Sequence, residues 1–526
     1  MSRNRNIPVW REIGQSPAGK DGEHVPLLVV GGGPVGLTLA LDLGRRGHRV
    51  VLLNKLDFIP GGSKAICFSK RTLDIWDRLG VGERMVAKGV VWNVGKVFCG
   101  AGDEPIYQFD MLPVKHQKNP GFINLQQYYA EEYLFEAVAR LPNVELRRGH
   151  QLVGLDARAD GVSVQVDADG ETYTITADWL VACDGCRSSA RDMLGLDFEG
   201  RVFEENFLIA DIRVEEERPA ERWFWFDPPF NPGKSALLHK QPDNVWRLDF
   251  QLGWDIDREA CERPEAVAPL VEGMLGPGAK WEKEWFSVYT FQCRRMERFV
   301  HGRVLFAGDS AHLVSPFGAR GCNNGIADAD NLAWKLDLVI RGAARGALLE
   351  SYNHEAVVTA DENILNSSRS TDFMTPKSPG AEALRTATLE LAQHHAFARP
   401  FVNSGRLATA VSYPDSPLNT LDRDAWDRGV PPGSPALDAP VADGYLLQRL
   451  GGRFVLLADG VEARVAGVEV AGIDELGDPE GLVRARFDLR PGSACLVRPD
   501  QYVAARWRSP TAADIKAALE RARGAQ

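Results

Sequence analysis

The stretch that most constrains the fold is 25–55, VPLLVVGGGPVGLTLALDLGRRGHRVVLLNK. An apolar strand leads into Gly31-x-Gly33-x-x-Gly36, a helix follows, and a second strand ends at Asn54. This is the βαβ pattern that binds a dinucleotide: the first glycine allows a tight turn, the second lets the backbone approach a pyrophosphate, and the third lets helix and strand pack closely. The position that usually holds ribose hydroxyls through Asp or Glu is here Asn54, which is either a weaker ligand or an ordinary surface residue.

Composition narrows the class of protein and of partner. At 526 residues the chain exceeds a single core, and about 150 residues per domain predicts roughly three domains. The net charge of −11 argues against nucleic acid or an anionic membrane as a partner, since either favours a basic surface. The sequence contains no apolar run of about 18 residues and no signal peptide, and residues 1–24 are expected to be a flexible tail.

The eight cysteines are scattered along the chain, which is typical of a reduced cytoplasmic protein without disulfides. Cys183 and Cys186 have the spacing of a redox pair, but no second pair or His pair completes a metal site. We therefore interpret them as incidental and predict no bound metal.

A second glycine-rich stretch, 303–336, predicts a strand at 304–307, then Gly308-Asp309, then a loop with His312, and a long helix from near Asn323. A helix N-terminus that follows such a loop favours a polar or anionic ligand, because unpaired N–H groups and the helix dipole meet there. Between the two stretches, alternating strands and Asp-Gly turns predict a β-meander. It is followed by a strand ending at Asp184-Gly185 and a helix opened by Arg187, Ser188 and Arg191.

These three motifs, in this order, resemble those of the single-component (class A) flavoprotein aromatic hydroxylases, the family of p-hydroxybenzoate hydroxylase and phenol hydroxylase. The resemblance covers about residues 25–410. The segments PFGARGCNNGIADADNLAWKL and SYNHEAVVTADEN are most similar to the 3-(3-hydroxyphenyl)propionate hydroxylase-like subgroup. The fold implied is α/β, with a Rossmann-like FAD-binding domain carrying a β-meander, a middle antiparallel-sheet substrate domain and a C-terminal thioredoxin-like domain.

The resemblance also implies roles for individual residues. Asp309 would bind the ribityl hydroxyls, Gln127 would contact the ribityl chain, and the carbonyl of Pro316 would lie near the substrate and the reacting flavin edge. Lys64 stands where the family usually has Arg, so a phosphate contact there would come from a point charge. The implied cofactor-binding residues are Gly31, Gly33, Pro34, Gly36, Asn54, Lys64, Gln127, Asp184, Gly308, Asp309, Pro316, Gly321, Cys322 and Asn323.

The middle segment, 201–294, alternates like an antiparallel sheet and would cover the substrate together with part of 90–120. A base is useful there, because phenols have a pKa near about 10 and the phenolate reacts far better. The candidates are His239, Asp249 and Tyr289, besides Pro316 at the reacting edge. Trp223, Trp225 and Arg247 are expected near the substrate or NAD(P)H. The alternative is structural, since aromatic residues on a sheet are commonly core and a single His is commonly satisfied by its neighbours.

Domain boundaries follow from these patterns. The FAD-binding domain is predicted at 25–200 and 295–410, and the substrate domain at 201–294. The proline-rich stretch 411–440 is predicted to be a linker. Residues 441–526 would be a thioredoxin-like domain without CxxC, holding only Cys495, and would therefore serve as a scaffold or in dimerisation.

The activity implied is hydroxylation of a phenol, ortho or para to its hydroxyl, through a flavin C4a-hydroperoxide formed from FAD, NADPH or NADH, and O2. An FAD-dependent dehydrogenase or other non-hydroxylating oxidoreductase could use the same scaffold, and so could a non-enzymatic flavin-binding protein. The partner expected is a small phenolic substrate. We expect a cytoplasmic monomer or homodimer that binds neither nucleic acid nor membrane.

Overall fold

Five parallel strands form the centre of the N-terminal unit in the computed structural model, which describes residues 7–8, 16–62, 64–102, 104–110, 114–215, 218–402 and 407–525. Their order across the sheet is Val144–Arg148, Val50–Asn54, Glu23–Val30, Glu171–Ala182 and Val304–Phe306. The second half of the strand Glu23–Val30 is apolar and buried, as expected when helices and loops cover both faces of a parallel sheet.

Helices pack around this sheet and support one another. Pro34–Arg45 follows the first strand and packs against both Gln127–Ala139 and Gly321–Ile340. The helix Leu348–Met374 packs against Gly321–Ile340 as well. The remaining helices of this unit are Lys70–Arg78, Gly82–Lys88, Ser189–Met193, Pro379–His394 and Arg399–Val402, with short 3-10 turns at Gly308–Ser310 and Ala396–Ala398.

The expected meander is present. His150–Ala157 and Val162–Ala168 pair antiparallel with each other, and the second pairs with the first half of Glu171–Ala182. Asp169 and Gly170 both have positive φ, which is the two-residue turn that an Asp-Gly hairpin favours. Small additional strands are Ile7–Pro8 with Phe58–Ile59, Val300–His301 beside Val304–Phe306, and the sheet of Cys67–Ser69, Phe122–Asn124 and Val90–Val91.

An eight-stranded sheet forms the middle unit. Its order is His312–Leu313, Trp281–Arg295, Glu199–Val214, Val245–Gly253, Ser235–Lys240, Arg222–Phe226, Val94–Cys99 and Tyr107–Asp110. All neighbours are antiparallel except Arg222–Phe226 and Val94–Cys99. The helix Pro264–Leu275 covers one face, with the short helix Arg258–Cys261 beside it. The other face is turned towards the loops of the N-terminal unit.

The C-terminal unit contains a four-stranded sheet in the order Glu469–Gly472, Val455–Ala458, Ala494–Val497 and Val503–Trp507. The first two strands are parallel and the others antiparallel. The helices are Ile473–Leu476, Leu482–Phe487 and Ala512–Ala522, with a hairpin at Pro440–Val441 and Gly444–Tyr445 and a 3-10 turn at Leu446–Gln448.

Two expected boundaries look different in the structure. Residues 411–440 connect the units, yet they pack along the C-terminal sheet: the N–H groups of Thr420 and Gly433 donate to the carbonyls of Ala504 and Val503. Within the expected tail, the first parallel strand already begins at Glu23, while 1–6 and 9–15 lie outside the described residues. Among the helices that are described, none combines the length and apolar character needed to cross a lipid bilayer.

Candidate active site

The three glycine positions of the first motif differ in why they require glycine. Gly31 has a φ of 110°, and a Cβ there would lie 2.2 Å from the carbonyl oxygen of Cys183. A Cβ on Gly36 would lie 2.0 Å from the carbonyl oxygen of Gly31, so this glycine allows helix and turn to touch. A Cβ on Gly33 would meet nothing within 4 Å. Gly33 is therefore the position that packing leaves open, at the N-terminus of the helix that starts with Pro34.

Asn54 is tied to the same loop. Its Oδ1 accepts a hydrogen bond from the N–H of Gly32 at 3.2 Å, and its Nδ2 donates to the carbonyl of Leu56 at 2.8 Å. The side chain thus stabilises the glycine loop directly. A carboxylate could accept from Gly32 but could not donate to the Leu56 carbonyl, so only an amide makes both bonds, which gives a physical reason for Asn at this position.

The second glycine motif forms a turn held by buried charges. The N–H of Gly308 donates to Asp328 at 3.0 Å, and Nε2 of His312 lies 2.6 Å from the same Asp328 oxygen. His312 and Asp328 are both buried, so His312 supports the turn and does not face a ligand. Gly325 packs the helix on this turn, since a Cβ there would lie 3.0 Å from Cα of Gly308.

Asp309 is the accessible residue of this turn. Its neighbours Gly308 and Ser310 are buried, whereas Asp309 is exposed. The carboxylate nevertheless lies in a recess, and the surrounding protein raises its pKa above the usual range, with Lys64 and His312 acting in the opposite direction. An accessible carboxylate in a partly dehydrated recess is suited to accept hydrogen bonds from a polyol.

The helix expected from near Asn323 begins at Gly321. Gly321, Cys322 and Asn323 therefore form its first turn, where the N–H groups have no partner within the helix. The side chain of Asn323 is already used: it accepts from the N–H of Ser69 at 2.8 Å and donates to the carbonyl of Cys67 at 2.9 Å. Asn323 can thus offer a ligand its backbone N–H only.

The Asp184 motif joins the other two. Asp184 Oδ2 accepts from the N–H of Ala190 at 3.1 Å, and burial raises the pKa of this carboxyl. Arg191 donates to the carbonyls of Ser310 and Cys186, each at 3.0 Å. Arg191 of the Asp184 motif therefore fixes the position of the turn that carries Asp309.

Lys64 lies close enough to Asp309 to act on its pKa, and Gln127 contacts the residue that follows Lys64. Gln127 Oε1 accepts from the N–H of Ala65 at 3.0 Å, and its Nε2 donates to Glu131 at 2.7 Å. Glu131 is buried, which raises its pKa to about 7. The Lys64 side chain is exposed, and its carbonyl accepts from Nη1 of Arg247 at 3.2 Å. This last contact joins the loop to the middle sheet.

The face of the middle sheet turned towards these loops carries the polar candidates. Arg247 makes a two-point ion pair with Asp211, both bonds being 2.8 Å. His239 is 4% exposed, and its Nε2 lies 3.6 Å from Oδ2 of Asp249. Burial raises the pKa of Asp249 to about 6 and that of Tyr289 to about 12. Burial, with Arg222 and Arg247 nearby, lowers the pKa of His239 well below its usual value.

Trp223 and Trp225 are not on this face, contrary to expectation. Both pack with Phe98 and the residues under helix Pro264–Leu275, on the side of the sheet away from the loops. The reason is the alternation of a strand: Arg222, Phe224 and Phe226 point one way and the two tryptophans the other. The alternation was visible in the sequence, but nothing there indicated which face meets the loops.

Pro316 is exposed on the loop between the Asp309 turn and the helix. Its carbonyl accepts a hydrogen bond from the N–H of Ala319 at 3.0 Å, and Ala319 has a φ of 53°. The carbonyl expected near the reacting centre is therefore used in a tight turn.

Three residues of the site were missed in the sequence. Asp211 neutralises Arg247, Glu131 anchors Gln127, and Arg222 lies beside His239 in the sheet. Glu131 could have been found from its spacing, four residues after Gln127 on a helix. The positions of Asp211 and Arg222 depend on strand register, which has no local signal in the amino-acid sequence.

The arrangement fits FAD. The open position at Gly33 admits a pyrophosphate, the exposed Asp309 suits ribityl hydroxyls, and the N-terminus of helix Gly321–Ile340 suits a ring that carries negative charge. A separate surface groove of about 560 Å³ is lined by Trp179, Arg303 and Glu350 among others and contains none of the motif residues. It is not part of this site.

Comparison with known proteins agrees with this geometry. The family model described as FAD binding domain matches residues 24–367, and the HcaD C-terminal domain model matches 434–522. The chain is 31% identical to 6-methylpretetramide 4-monooxygenase of Streptomyces rimosus, over 96% of this chain and 94% of that protein. It is 28% identical to 3-(3-hydroxy-phenyl)propionate/3-hydroxycinnamic acid hydroxylase of Shigella sonnei (strain Ss046), over 91% of each.

Among solved structures, the flavin-dependent monooxygenase PieE, in complex with FAD and substrate, has the same fold. The TM-score is 0.83 at 24% identity, over 96% of this chain and 100% of that one. The family match confirms the resemblance that the three motifs indicated. The chain belongs to the FAD-binding class A flavoprotein monooxygenases, the family of the aromatic hydroxylases.

Proposed function

We propose that this flavoprotein hydroxylates a phenolic substrate with NADPH or NADH and O2. The observation that carries the proposal is that two parts of the structure adjoin each other: Arg247 of the middle sheet donates to the carbonyl of Lys64, and Asp309 is close enough to Tyr289 on the same sheet face to act on its pKa. One is the turn of Asp309, with the helix N-terminus at Gly321; the other is the sheet face with His239 and Asp249. The first part suits the flavin, and the second offers a proton acceptor for a phenol.

The chain's own residues would do three things. Gly33, Asp309, Asn54 and the first turn of helix Gly321–Ile340 would hold FAD, which when bound and reduced supplies the activation of O2. Arg247, neutralised by Asp211, fixes the Lys64 loop against the sheet. The apolar part of the same face, including Phe207, Phe291 and Phe317 in mutual ring contact, would exclude water from the reacting atoms.

Proton removal falls to His239, with Asp249 orienting it. With its proton on Nε2, towards Asp249, the neutral ring presents an unprotonated Nδ1, and this atom has no hydrogen-bond partner among the described residues. Tyr289 is less suited, because its raised pKa of about 12 keeps it a donor. The pair could take a phenolic proton and so increase the reactivity of the ring.

The names of relatives support a phenolic substrate. One acts on 6-methylpretetramide and another on 3-(3-hydroxyphenyl)propionate or 3-hydroxycinnamic acid. A panel should therefore contain both single-ring phenolic acids and polycyclic phenols. We also propose that the C-terminal unit is a redox-inactive, thioredoxin-like scaffold, a view supported by its strand order and by the burial of Cys495, whose pKa burial raises to about 12.

The test is NAD(P)H oxidation by the purified, FAD-containing protein with each phenol of the panel. We expect at least one phenol to stimulate oxidation, with one atom from ¹⁸O2 in the product by mass spectrometry. In His239→Gln, hydroxylation of that phenol should fall about 100-fold or more, while FAD content stays unchanged. Product formed without label would favour a dehydrogenase, and a protein that binds no flavin would disprove the proposal.

A further inference from the structure

We infer that Arg222, together with His239, forms a subsite for an anionic oxygen of the substrate, either a phenolate or a carboxylate. The inference rests on the proposed function, since it concerns the substrate of the same site. The inference goes beyond the proposed function because it names a negative charge that the substrate must carry or acquire. It also names the residue that recognises this charge.

Register places Arg222 in the site. Four residues form one row across four adjacent strands: Asp211 pairs with Arg247, Arg247 with His239, and His239 with Arg222. Residues directly opposite in antiparallel strands have Cβ atoms about 5 Å apart and point to the same face. Arg222 therefore lies on the face that bears His239, turned towards the loop that contains Lys64 and Cys67.

The two arginines of this row differ in their partners. Arg247 is fully neutralised by its two-point bond to Asp211. The guanidinium of Arg222 is half-buried, and within the part of the chain that the structure describes it makes no hydrogen bond and no ion pair. Its Cζ atom lies over the ring of Trp92, 6.0 Å from the ring centroid. Burial lowers the pKa of Arg222, which means that its charge is under-compensated.

The groups around Arg222 do not remove this imbalance. Cys67 is neutral, because burial raises its pKa to about 11. His239 is held neutral by burial and by the two arginines. Asp249 influences Arg222 electrostatically without forming an ion pair with it. A half-buried cation next to an unpartnered imidazole nitrogen destabilises the folded protein when no ligand is bound. An incoming anionic oxygen would interact favourably with both groups at once.

The two sources of such an oxygen differ in how the site would act. A carboxylate would be bound as an anion and would orient the ring. A phenol would be bound neutral, lose its proton to Nδ1 of His239, and leave its oxygen charged beside Arg222. In that exchange the O–H bond breaks, an N–H bond forms, and the electron pair stays on the phenolate oxygen.

The experiment uses the FAD-loaded protein and three probes: 2-naphthoate, 2-naphthamide and 2-naphthol. Binding is followed by the change in the flavin absorption band, and ionisation of bound naphthol by its own absorption. A carboxylate subsite gives about tenfold tighter binding of the naphthoate than of the neutral amide. A phenolate subsite lowers the apparent pKa of bound naphthol by about one unit or more relative to free naphthol.

Arg222→Met should abolish either effect, and Arg222→Lys should retain part of it. Arg213→Met is the matched control, because Arg213 lies in the same sheet but is already paired with Glu284 at 3.1 Å. Arg222→Met should also raise the melting temperature of the protein, since it removes an unpaired, half-buried charge; an arginine that only stabilises the fold would give the opposite sign.

If the wild type shows neither the preference for naphthoate nor the change in the pKa of naphthol, the inference is overturned. Failure to bind any of the three probes counts as the same result. An effect that persists in Arg222→Met would overturn it as well. The FAD content and the probe-independent NAD(P)H oxidation of the same samples distinguish failure of the anionic subsite from failure of the proposed function. If both are normal, only the anionic subsite fails; if the protein holds no flavin, the proposed function fails.

Discussion

Asp309 combines two properties that rarely occur together in one carboxylate: it is accessible, and its pKa is raised because the recess around it is poorly hydrated. In the absence of ligand its charge is a cost to the fold. Asp309→Asn should therefore leave the flavin-free protein as stable as the wild type, or slightly more so. It should weaken FAD binding by about 10- to 100-fold, since one charge-assisted hydrogen bond contributes about 1.5–3 kcal/mol.

Flavin fluorescence during titration of the apoprotein measures this affinity, and thermal unfolding measures stability. Asp192→Asn is a suitable control, because Asp192 is exposed on the helix next to the same motif residues. Unchanged FAD affinity in Asp309→Asn would show that Asp309 is not the anchor of the cofactor.

Glu131 gives a prediction about pH. Burial raises its pKa from an ordinary 4.5 to about 7, so the folded protein retains a proton that the unfolded chain has lost. Stability should therefore fall as pH rises from about 4.5 to about 7, and the full penalty, about 3 kcal/mol at most, should remain above that.

Glu131→Gln removes this penalty. With FAD in excess, urea unfolding should show the variant to be about 1–3 kcal/mol more stable at pH 8 and equal to the wild type near pH 4.5. Glu171→Gln, at an exposed position in the meander, should show no such dependence. A constant difference at both pH values would mean that Glu131 is not protonated in the folded protein.

At the scale of elements, two glycines at the junction of the first strand and helix Pro34–Arg45 have separate roles. Gly36 serves packing, whereas Gly33 is expected to serve ligand binding. Gly36→Ala should destabilise the protein by about 1–3 kcal/mol, because the new methyl would lie 2.0 Å from the carbonyl oxygen of Gly31. Gly33→Ala should fold normally, since nothing lies within 4 Å of its Cβ, yet bind FAD at least about tenfold more weakly. Melting temperature and flavin content distinguish the two variants, and equal losses of both in Gly33→Ala would contradict the pyrophosphate assignment.

How much the sequence could predict depends on the range of the interactions. The βαβ unit, the Asp-Gly hairpin and the Asp309 turn were predictable, because glycine positions and strand–helix order are local. The face of the middle sheet was not: Trp223 and Trp225 were expected beside the substrate, and Arg222, one residue earlier, was overlooked. Only the packing of helix Pro264–Leu275 decides which face is covered, and that contact joins residues far apart in the chain.

At the scale of the whole molecule, buried charges join the C-terminal unit to the flavin-binding unit. Arg498 donates to Glu355 at 2.6 and 3.0 Å and to Asp500 at 3.0 Å, and Lys335 donates to the same Glu355 at 2.7 Å. Arg71, on the helix after the Lys64 loop, donates to the carbonyl of Asp500 and to Asp330. Glu355, Arg498 and Lys335 are wholly buried, and the surrounding cations keep the pKa of Glu355 well below its usual value.

In this cluster the charges of Glu355 and Asp500 balance those of Arg498 and Lys335. Removal of one charge should therefore lower the free energy of unfolding far more than removal of an oppositely charged pair. Arg498→Met should destabilise the protein by about 3–5 kcal/mol, whereas Arg498→Met with Glu355→Gln should cost clearly less than the sum of the two single changes. Thermal unfolding followed by flavin fluorescence and by tryptophan fluorescence should show a single coincident transition, shifted in each variant, because helix Gly321–Ile340 carries both Lys335 and the turn at the flavin. Two separate transitions, with flavin release unaffected by Arg498→Met, would show instead that the C-terminal unit folds independently and does not support the site.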